Sequence, residues 1–291
     1  MRIYFEEDAD PQALRDTAWL IKRHALVTLP SLSSLTMLRR YAGRVSGDQP
    51  FAGFGDPVLG DGRNEERGAP TVAASFRGTS PDQTQLRQLG RLSGAEGELK
   101  ALARALGASE TQDVCLRQCA TKLEVQRRDL SHKRVLAFST HGLMAGELGM
   151  GEPGLVFTLP VAPSATDNGY LAASEVAQLK LSADWIILSA CNTAAGEKPG
   201  AEGLSGLARA FFLAGAKSLL VSHWQVWDDA ATRLTTGAVT HLQSHAGEDR
   251  AEALRQSMLA LMSDPTERRF AHPAAWAAFV IVGETRTGGA R

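Results

Sequence analysis

The sequence predicts an α/β fold in which a mostly parallel central sheet is covered by helices on both faces. Three apolar runs have the length and composition of buried strands: residues 135–140, 185–190 and 218–221. Residues 95–106 and 204–214 have apolar side chains at helical spacing, and a glycine follows each of them, Gly107 and Gly215. Alternating strands and helices imply right-handed crossovers, which place helices on both sides of parallel strands.

Weaker signals predict the elements around these runs. Residues 51–54 are apolar and predict a short strand, whereas the stretch rich in Gly, Pro, Asp and Ser that continues to Gly90 predicts a long loop. Residues 121–130 and 171–179 predict two helices, the second with Ser174 as its N-cap. The two strands that follow them are therefore each preceded by a helix.

The C-terminal part predicts two further helices and a strand. An aspartate, Asp228 or Asp229, is suited to cap a helix that runs to about His245, and Asp249 is suited to cap the helix after it. Residues 276–282 are apolar and predict a last strand.

The composition argues against nucleic acid and membrane partners. The 291 residues include 31 Lys and Arg against 32 Asp and Glu, so the chain has no net positive charge that would attract nucleic acid. The sequence has no cluster of basic residues that could do so locally. Hydrophobic residues make up 44% of the chain, enough for a buried core, but no apolar run reaches the length of a membrane span. The first ten residues are acidic, unlike a signal peptide. We therefore expect a globular, cytosolic protein.

The three cysteines predict no disulfide framework, because thiols stay reduced in the cytosol. Cys115 and Cys119 stand four residues apart, as do His241 and His245, so a four-ligand zinc site is conceivable. The two pairs are more than a hundred residues apart and lack the usual zinc spacing, and the histidines are more simply explained as solvated residues near a helix end. We predict neither a metal site nor a cofactor.

Two of the predicted strands lead into a base and a nucleophile. His141 follows one strand and Cys191 the other, and ligands of open parallel sheets bind beyond the carboxyl ends of the strands. A thiol near its ordinary pKa is mostly protonated at neutral pH, so an imidazole that takes its proton would activate it. The fifty-residue spacing of His141 and Cys191 is also the arrangement of caspase-type peptidases.

Five segments of the sequence, in order, resemble one known family. They are residues 139–142 (Ser-Thr-His-Gly), 188–196 around Cys191, 203–216, 221–224 (Val-Ser-His-Trp) and 272–283. This pattern is similar to that of the CHAT domain, a bacterial caspase-like family that is often fused to tetratricopeptide repeats. The similarity extends from about residue 29 to about residue 284 and so covers most of the chain.

The resemblance implies the fold of caspases, separases and gingipain-like peptidases. That fold is a caspase-like three-layer sandwich with a mostly parallel sheet between two helical layers. The implied division of the chain is a partial N-terminal segment of the CHAT region at residues 1–50, a catalytic core at residues 51–285 and a flexible tail at residues 286–291.

By the same resemblance, His141 and Cys191 form a catalytic dyad. The backbone N–H groups of Gly142 and Cys191 are carried over as donors to the developing oxyanion. No third member is evident, although three acidic residues are candidates for orienting the imidazole: Glu147, Asp184 and Glu202.

Two further features concern the substrate. Some caspase relatives have an acidic residue two positions before the nucleophile, where it helps to hold a basic P1 side chain, the one next to the bond that is cut. Ser189 stands there in this chain, so a preference for Lys or Arg loses one support. Residues 142–151 are rich in glycine and predict a mobile flap beside the histidine.

The sequence therefore predicts a CHAT-type cysteine endopeptidase that cleaves protein or peptide substrates under the control of a regulatory partner or a tetratricopeptide-repeat sensor. The alternative, from another class of proteins, is a catalytically latent or inactive interaction module. In that case the caspase-like fold would serve as a docking platform in a bacterial signalling or defence complex.

Overall fold

The computed structural model describes residues 10–29, 46–60, 83–189, 206–224 and 226–285. Within these ranges the strands are β1 (Val27–Thr28), β2 (Gln49–Pro57), β3 (Val114–Arg117), β4 (Lys133–Ser139), β5 (Gly142–Leu143), β6 (Gly154–Val156), β7 (Tyr170–Ala172), β8 (Trp185–Leu188), β9 (Ser218–Ser222) and β10 (Phe279–Gly283). The α-helices are α1 (Pro11–Asp16), α2 (Gln83–Leu86), α3 (Gly94–Ala105), α4 (Lys122–Arg127), α5 (Ala173–Val176), α6 (Gly206–Ala214), α7 (Asp228–Ser244), α8 (Arg250–Ser263) and α9 (Pro273–Trp276).

The central sheet contains seven of the described strands, in the order β1-β10-β9-β8-β4-β2-β3. Neighbouring strands are parallel except for β10 and β9, which are antiparallel. The prediction of a mostly parallel sheet is therefore confirmed. The strands β4 and β8, which precede the predicted catalytic residues, are direct neighbours, with Phe138 opposite Leu188.

Helices cover both faces of this sheet. In β4, Val135 and Ala137 belong to one hydrophobic core, while Leu136 and Phe138 belong to the other, because successive side chains of a strand point to opposite faces. Residues of α3, α7 and α8 complete the first core, and residues of α4, α5 and α6 complete the second. The predicted three-layer arrangement is confirmed.

An aromatic cluster fixes the strand that leads to His141. The ring of Phe138 is stacked on that of Phe54 at 5.6 Å between centroids, and it lies 5.4 Å from Phe211 and 6.4 Å from Phe157. All four side chains are fully buried. Such aromatic pairs contribute packing energy beyond the area that they bury.

A second, antiparallel sheet of the described residues, in the order β5-β6-β7, follows directly after the histidine. It has its own small core, which includes Leu143, Leu148, Met150 and Val156. The segment predicted as a flap, residues 142–151, forms a strand, a 3₁₀ turn and buried side chains. Burying the apolar residues between the glycines offsets the entropy of ordering the glycines, while the mobility of this segment without substrate stays a prediction.

The helix predicted at residues 95–106 is confirmed as α3, and Gly107 after it has the positive φ of +69° that suits a glycine at this position. Asp249 is confirmed as the N-cap of α8, since its carboxylate accepts the N–H of Glu252 at 2.8 Å. The long loop predicted up to Gly90 lies mostly outside the described residues.

Two predicted caps are wrong. Ser174 is not the N-cap of α5, because β7 extends to Ala172, which takes that position, and the Ser174 N–H bonds to Glu152 instead. Asp228 is the first residue of α7 rather than its cap, which is Trp227. Its carboxylate accepts the Gly94 N–H at the start of α3, 3.0 Å away, so it serves a different helix.

The last strand also begins later than predicted. Residues 273–276 form the short helix α9, and the strand β10 starts at Phe279. Pro273 favours this turn because its φ is already helical, and Nδ1 of His272 accepts the N–H of Ala274 at 3.1 Å. Apolar composition alone does not separate a buried helical turn from a strand.

Candidate functional site

His141 lies just beyond the carboxyl end of β4, where the central sheet meets the small sheet. Its carbonyl accepts the N–H of Val156 in β6 at 2.9 Å. The hydroxyl of Thr140, which is buried, donates to the carbonyl of Val156. Thr140 and His141 are therefore both hydrogen-bonded to Val156 in β6, which fixes the backbone that carries the imidazole.

A backbone carbonyl orients the imidazole. Nε2 of His141 lies 2.7 Å from the carbonyl oxygen of Gly90. A carbonyl can only accept, so Nε2 carries the proton and Nδ1 is left as the unprotonated nitrogen. Burial lowers the pKa of His141 below its ordinary value, against an opposing effect of the bond to Gly90. A neutral imidazole with a free Nδ1 is suited to accept a proton.

Gly90 is itself held in place by a buried carboxylate. The next residue, Arg91, donates to Asp56 at 2.7 Å, and Arg117 donates to the same carboxylate at 3.2 Å. Asp56 is inaccessible to solvent and belongs to the end of β2. The loop that carries the Gly90 carbonyl is therefore fixed to the same edge of the sheet as His141.

The nucleophile predicted at Cys191 lies outside the described residues. The structure describes β8 and Ser189 after it, whose N–H donates to the carbonyl of Phe138 at 3.0 Å. The predicted adjacent, parallel strands are thus present, while the distance from His141 to Cys191 stays a prediction. Gly142 begins β5, opposite Leu155, and its role as an oxyanion donor also stays a prediction.

A buried glutamate connects the ends of these two strands. Glu98, on α3, is 3% exposed. Its carboxylate accepts the hydroxyls of Ser139 at 2.7 Å, Ser189 at 2.5 Å and Thr235 at 2.8 Å. Burial raises the pKa of Glu98, partly offset by these three hydrogen bonds, and nearby Asp228 raises it further. Ser139 and Ser189 each stand two positions before a residue of the predicted dyad.

In a comparison with protein families, the family model of the CHAT domain matches residues 5–284 of the chain. The chain is a member of the CHAT domain family. This CHAT domain is similar to the Tetratricopeptide repeat protein 28 of Mus musculus and of Homo sapiens, with 32% and 31% identity over 113 residues. The matched part is 39% of this chain but 4% of either relative.

Among solved structures, the CHAT domain is similar to gingipain R, which is described as an Arg-specific cysteine proteinase. The TM-score is 0.51 and the sequence identity is 10%, over 88% of this chain and 52% of that chain. At this identity the likeness concerns the fold, and it confirms the predicted caspase-like architecture. The CHAT domain spans about half the length of that protein.

Two of the three acidic candidates for orienting His141, Asp184 and Glu147, bond to other groups in the structure. Asp184 precedes β8 at the opposite end of the strand and bonds to Lys217 at 2.9 Å. The carboxylate of Glu147 accepts the N–H of Met144 at 2.7 Å, and Glu202 lies outside the described residues. Sequence reasoning missed Gly90 because a backbone carbonyl has no signature in the sequence.

Two groups of side chains in the described part of the CHAT domain have ligand atoms within 4.8 Å of one another, as a metal ion requires: Cys115, Cys119 and Glu124, and His241, His245 and Glu248. Cys115 and Cys119 form a disulfide, so the expectation that they stay reduced is wrong, and they offer no thiolates. Nε2 of His241 lies 2.6 Å from the carboxylate of Glu248, which satisfies this nitrogen without a metal.

None of the helices in the described ranges combines the length and the apolar character that a transmembrane helix needs.

Proposed function

We propose that this CHAT domain is a caspase-like cysteine endopeptidase in which His141 is the base and Cys191 the nucleophile. The observation that carries the proposal is the hydrogen bond from Nε2 of His141 to the Gly90 carbonyl, because it leaves Nδ1 as the proton acceptor at the rim where β4 and β8 end. Cys191 follows the end of β8 by three residues.

The acylation half of the proposed reaction uses two proton transfers. Nδ1 of His141 takes the proton of the Cys191 thiol as Sγ bonds to the carbonyl carbon of the scissile peptide. Backbone N–H groups of Gly142 and Cys191 donate to the oxyanion that forms. The imidazolium then protonates the departing amine, the peptide C–N bond breaks, and water hydrolyses the thioester by the reverse route.

The proposed substrates are proteins or peptides, and the proposed control is a partner or a tetratricopeptide-repeat segment. Support for the latter comes from the two curated relatives, which are named as tetratricopeptide repeat proteins. Such control would act by ordering loops around the dyad, as in other order and disorder switches.

Selective alkylation tests the nucleophile. Without reductant, the disulfide leaves Cys191 as the free thiol among the three cysteines, so iodoacetamide should label that residue. We expect labelling at pH 7 to be at least about tenfold faster in the wild type than in His141→Ala, because alkylation follows the thiolate fraction and its access. Rates would be measured by mass spectrometry of the Cys191 peptide.

His132→Ala is the matched control for this experiment, since His132 is a largely exposed imidazole elsewhere on the chain, and it should alkylate at the wild-type rate. Equal rates in the wild type and in His141→Ala, with and without a peptide substrate, would contradict the dyad. The docking platform would then be the better account.

The pH dependence of cleavage should report the lowered pKa of His141. The base works only when neutral, and the neutral form persists to lower pH when burial depresses the pKa. The acid limb of kcat/KM for a peptide substrate should therefore have its midpoint below the ordinary histidine value of about 6.5. A midpoint at or above that value would contradict the proposed environment of the imidazole.

A further inference from the structure

A small, partly open space lies between α3, α7 and the strand ends at the rim of the site. It has a volume of about 60 Å³, and its walls include Glu98, Ser139, Ser189 and Ser222. About 10 to 15 Å³ of this kind of volume accommodates one water molecule, so the space can hold a small polar group.

The charged side chains that line this space in the described part of the chain are both acidic. They are Glu98 and Asp228, and no Lys or Arg of the described residues is among its walls. Within the described residues, Glu98 takes part in no ion pair, although a buried carboxylate without a cation is costly. Burial favours the neutral form of Glu98, and a cation beside the carboxylate would favour the ionised form. An ionised carboxylate has about four acceptor positions, and three hydroxyls occupy three of those of Glu98. One position remains for a donor that enters the space.

The other walls suit an aliphatic chain. Trp224, Val226 and Phe279 are apolar surfaces of the same space. The indole N–H of Trp224 is bonded to the carbonyl of Ala274 at 3.1 Å, so its ring offers an apolar face. Long basic side chains bury their methylene groups along such surfaces while the charged end reaches a polar partner.

Covalent geometry keeps the space close to the proposed chemistry. Ser189 and Ser139, both in its walls, are two residues before Cys191 and His141. Two residues of extended chain span at most about 7 Å. A side chain next to the bond under attack is therefore within reach of this space.

We propose that Glu98 is a specificity-determining residue that selects Lys or Arg as the P1 residue of the substrate. The inference rests on the proposed peptidase function. The basic end of the P1 side chain would donate to the open position of the Glu98 carboxylate. Asp228, on the exposed side of the space, adds negative charge that attracts it.

Peptides that differ only at P1 provide the first test. In the wild type, we expect kcat/KM for P1 Arg to exceed that for citrulline, its neutral isostere, by at least about a hundredfold, since a buried polar site rejects an analogue that leaves it unpaired. Glu98→Gln should remove most of this ratio, and Asp228→Asn should reduce it less. Glu96→Gln, a partly exposed acid on the same helix, is the matched control and should leave it unchanged.

Two results would overturn the inference while the peptidase proposal stands. One is a preference for an apolar or acidic P1 residue. The other is a folded Glu98→Gln variant that keeps the wild-type ratio of kcat/KM for P1 Arg over citrulline. The comparison of arginine with citrulline needs no variant, so it decides the matter even if Glu98→Gln does not fold.

Ligand binding separates the inference from the peptidase proposal. Calorimetry on Cys191→Ala would compare butylguanidinium with neutral butylurea, which requires no cleavage. We expect the cation to bind at least about tenfold more tightly. That preference should be lost in the double variant Cys191→Ala, Glu98→Gln. Absence of any preference for the cation would overturn the inference, whether or not the chain cleaves peptides.

Discussion

Replacing Cys191 by alanine is expected to reduce the cleavage of any substrate at least about a hundredfold, the scale of losing a nucleophile. Alanine removes Sγ, so no thioester can form, while the small side chain disturbs the surroundings little. His141→Ala should cause a similar loss, because the thiol would then lack the base that takes its proton. The measurement is kcat/KM on one peptide under identical conditions, with folding checked by circular dichroism.

The matched control removes the other two cysteines together. Cys115→Ser with Cys119→Ser leaves no unpaired half of the disulfide and should keep the cleavage rate within a few-fold of the wild type. Cleavage that persists in Cys191→Ala would show that another group attacks the substrate. The assignment of the dyad would then be wrong.

Lys217→Met is expected to lower the free energy of unfolding by about 3 to 5 kcal/mol, the cost of removing one partner of a buried ion pair. Lys217 bonds to Asp184 at 2.9 Å, and both side chains are 9% exposed. Without the lysine, the Asp184 carboxylate would stay buried with Ser46 and the largely exposed Arg134 as hydrogen-bond partners and with only the longer-range charge of Arg250 as further compensation. Urea unfolding would measure the loss.

The double variant Asp184→Leu, Lys217→Met is the informative control. It removes both charges and should be clearly more stable than Lys217→Met, because no buried carboxylate is left without its lysine. Both residues lie at the edge of the sheet opposite His141, so the rate at which Cys191 is alkylated in the folded protein should not change. If Lys217→Met is no less stable than the double variant, the pair does not act as described.

Acid should weaken the same pair. Burial opposes the charge of Asp184, but hydrogen bonds from Ser46 and Lys217 outweigh it and hold the pKa of Asp184 below its ordinary value. A carboxyl whose folded pKa is lowered stabilises the fold above its unfolded pKa of about 4, and this contribution is lost as the pH falls through the folded value. The double variant should lack this part of the acid destabilisation.

Local patterns were sufficient to predict much of the fold. The spacing of Leu99 and Leu102 before Gly107 predicts α3 to within a residue at each end, because apolar periodicity and a glycine cap act within a few residues. The order of the strands was not predictable in this way. Pairing of β10 with β1 and β9 joins residues that are far apart in the sequence, and only their packing decides it.

The candidate site was predictable only in part, for the same reason. His141 lies at the strand end where the sequence placed it, but its partner Gly90 is 51 residues earlier in the chain. Glu98 had a signal that was overlooked, since it lies between Ala95 and Leu102 on the apolar face of α3, where a charged residue is unusual. Ser189 stands where some caspase relatives have an acidic residue, and in the structure its hydroxyl donates to the carboxylate of Glu98.

The hydrogen-bond partner of the His141 imidazole is a neutral carbonyl, that of Gly90, rather than a carboxylate. The charge of this partner affects the pKa of the protonated imidazole. A carboxylate beside the ring would stabilise its positive charge and make the second proton harder to remove. A carbonyl such as that of Gly90 provides only part of this stabilisation, in surroundings that already disfavour the charge. In the proposed peptidase, a ring protonated in these surroundings would be a stronger acid than a ring beside a carboxylate. The proton transfer to the departing amine would then gain what the ionisation of the thiol at rest loses.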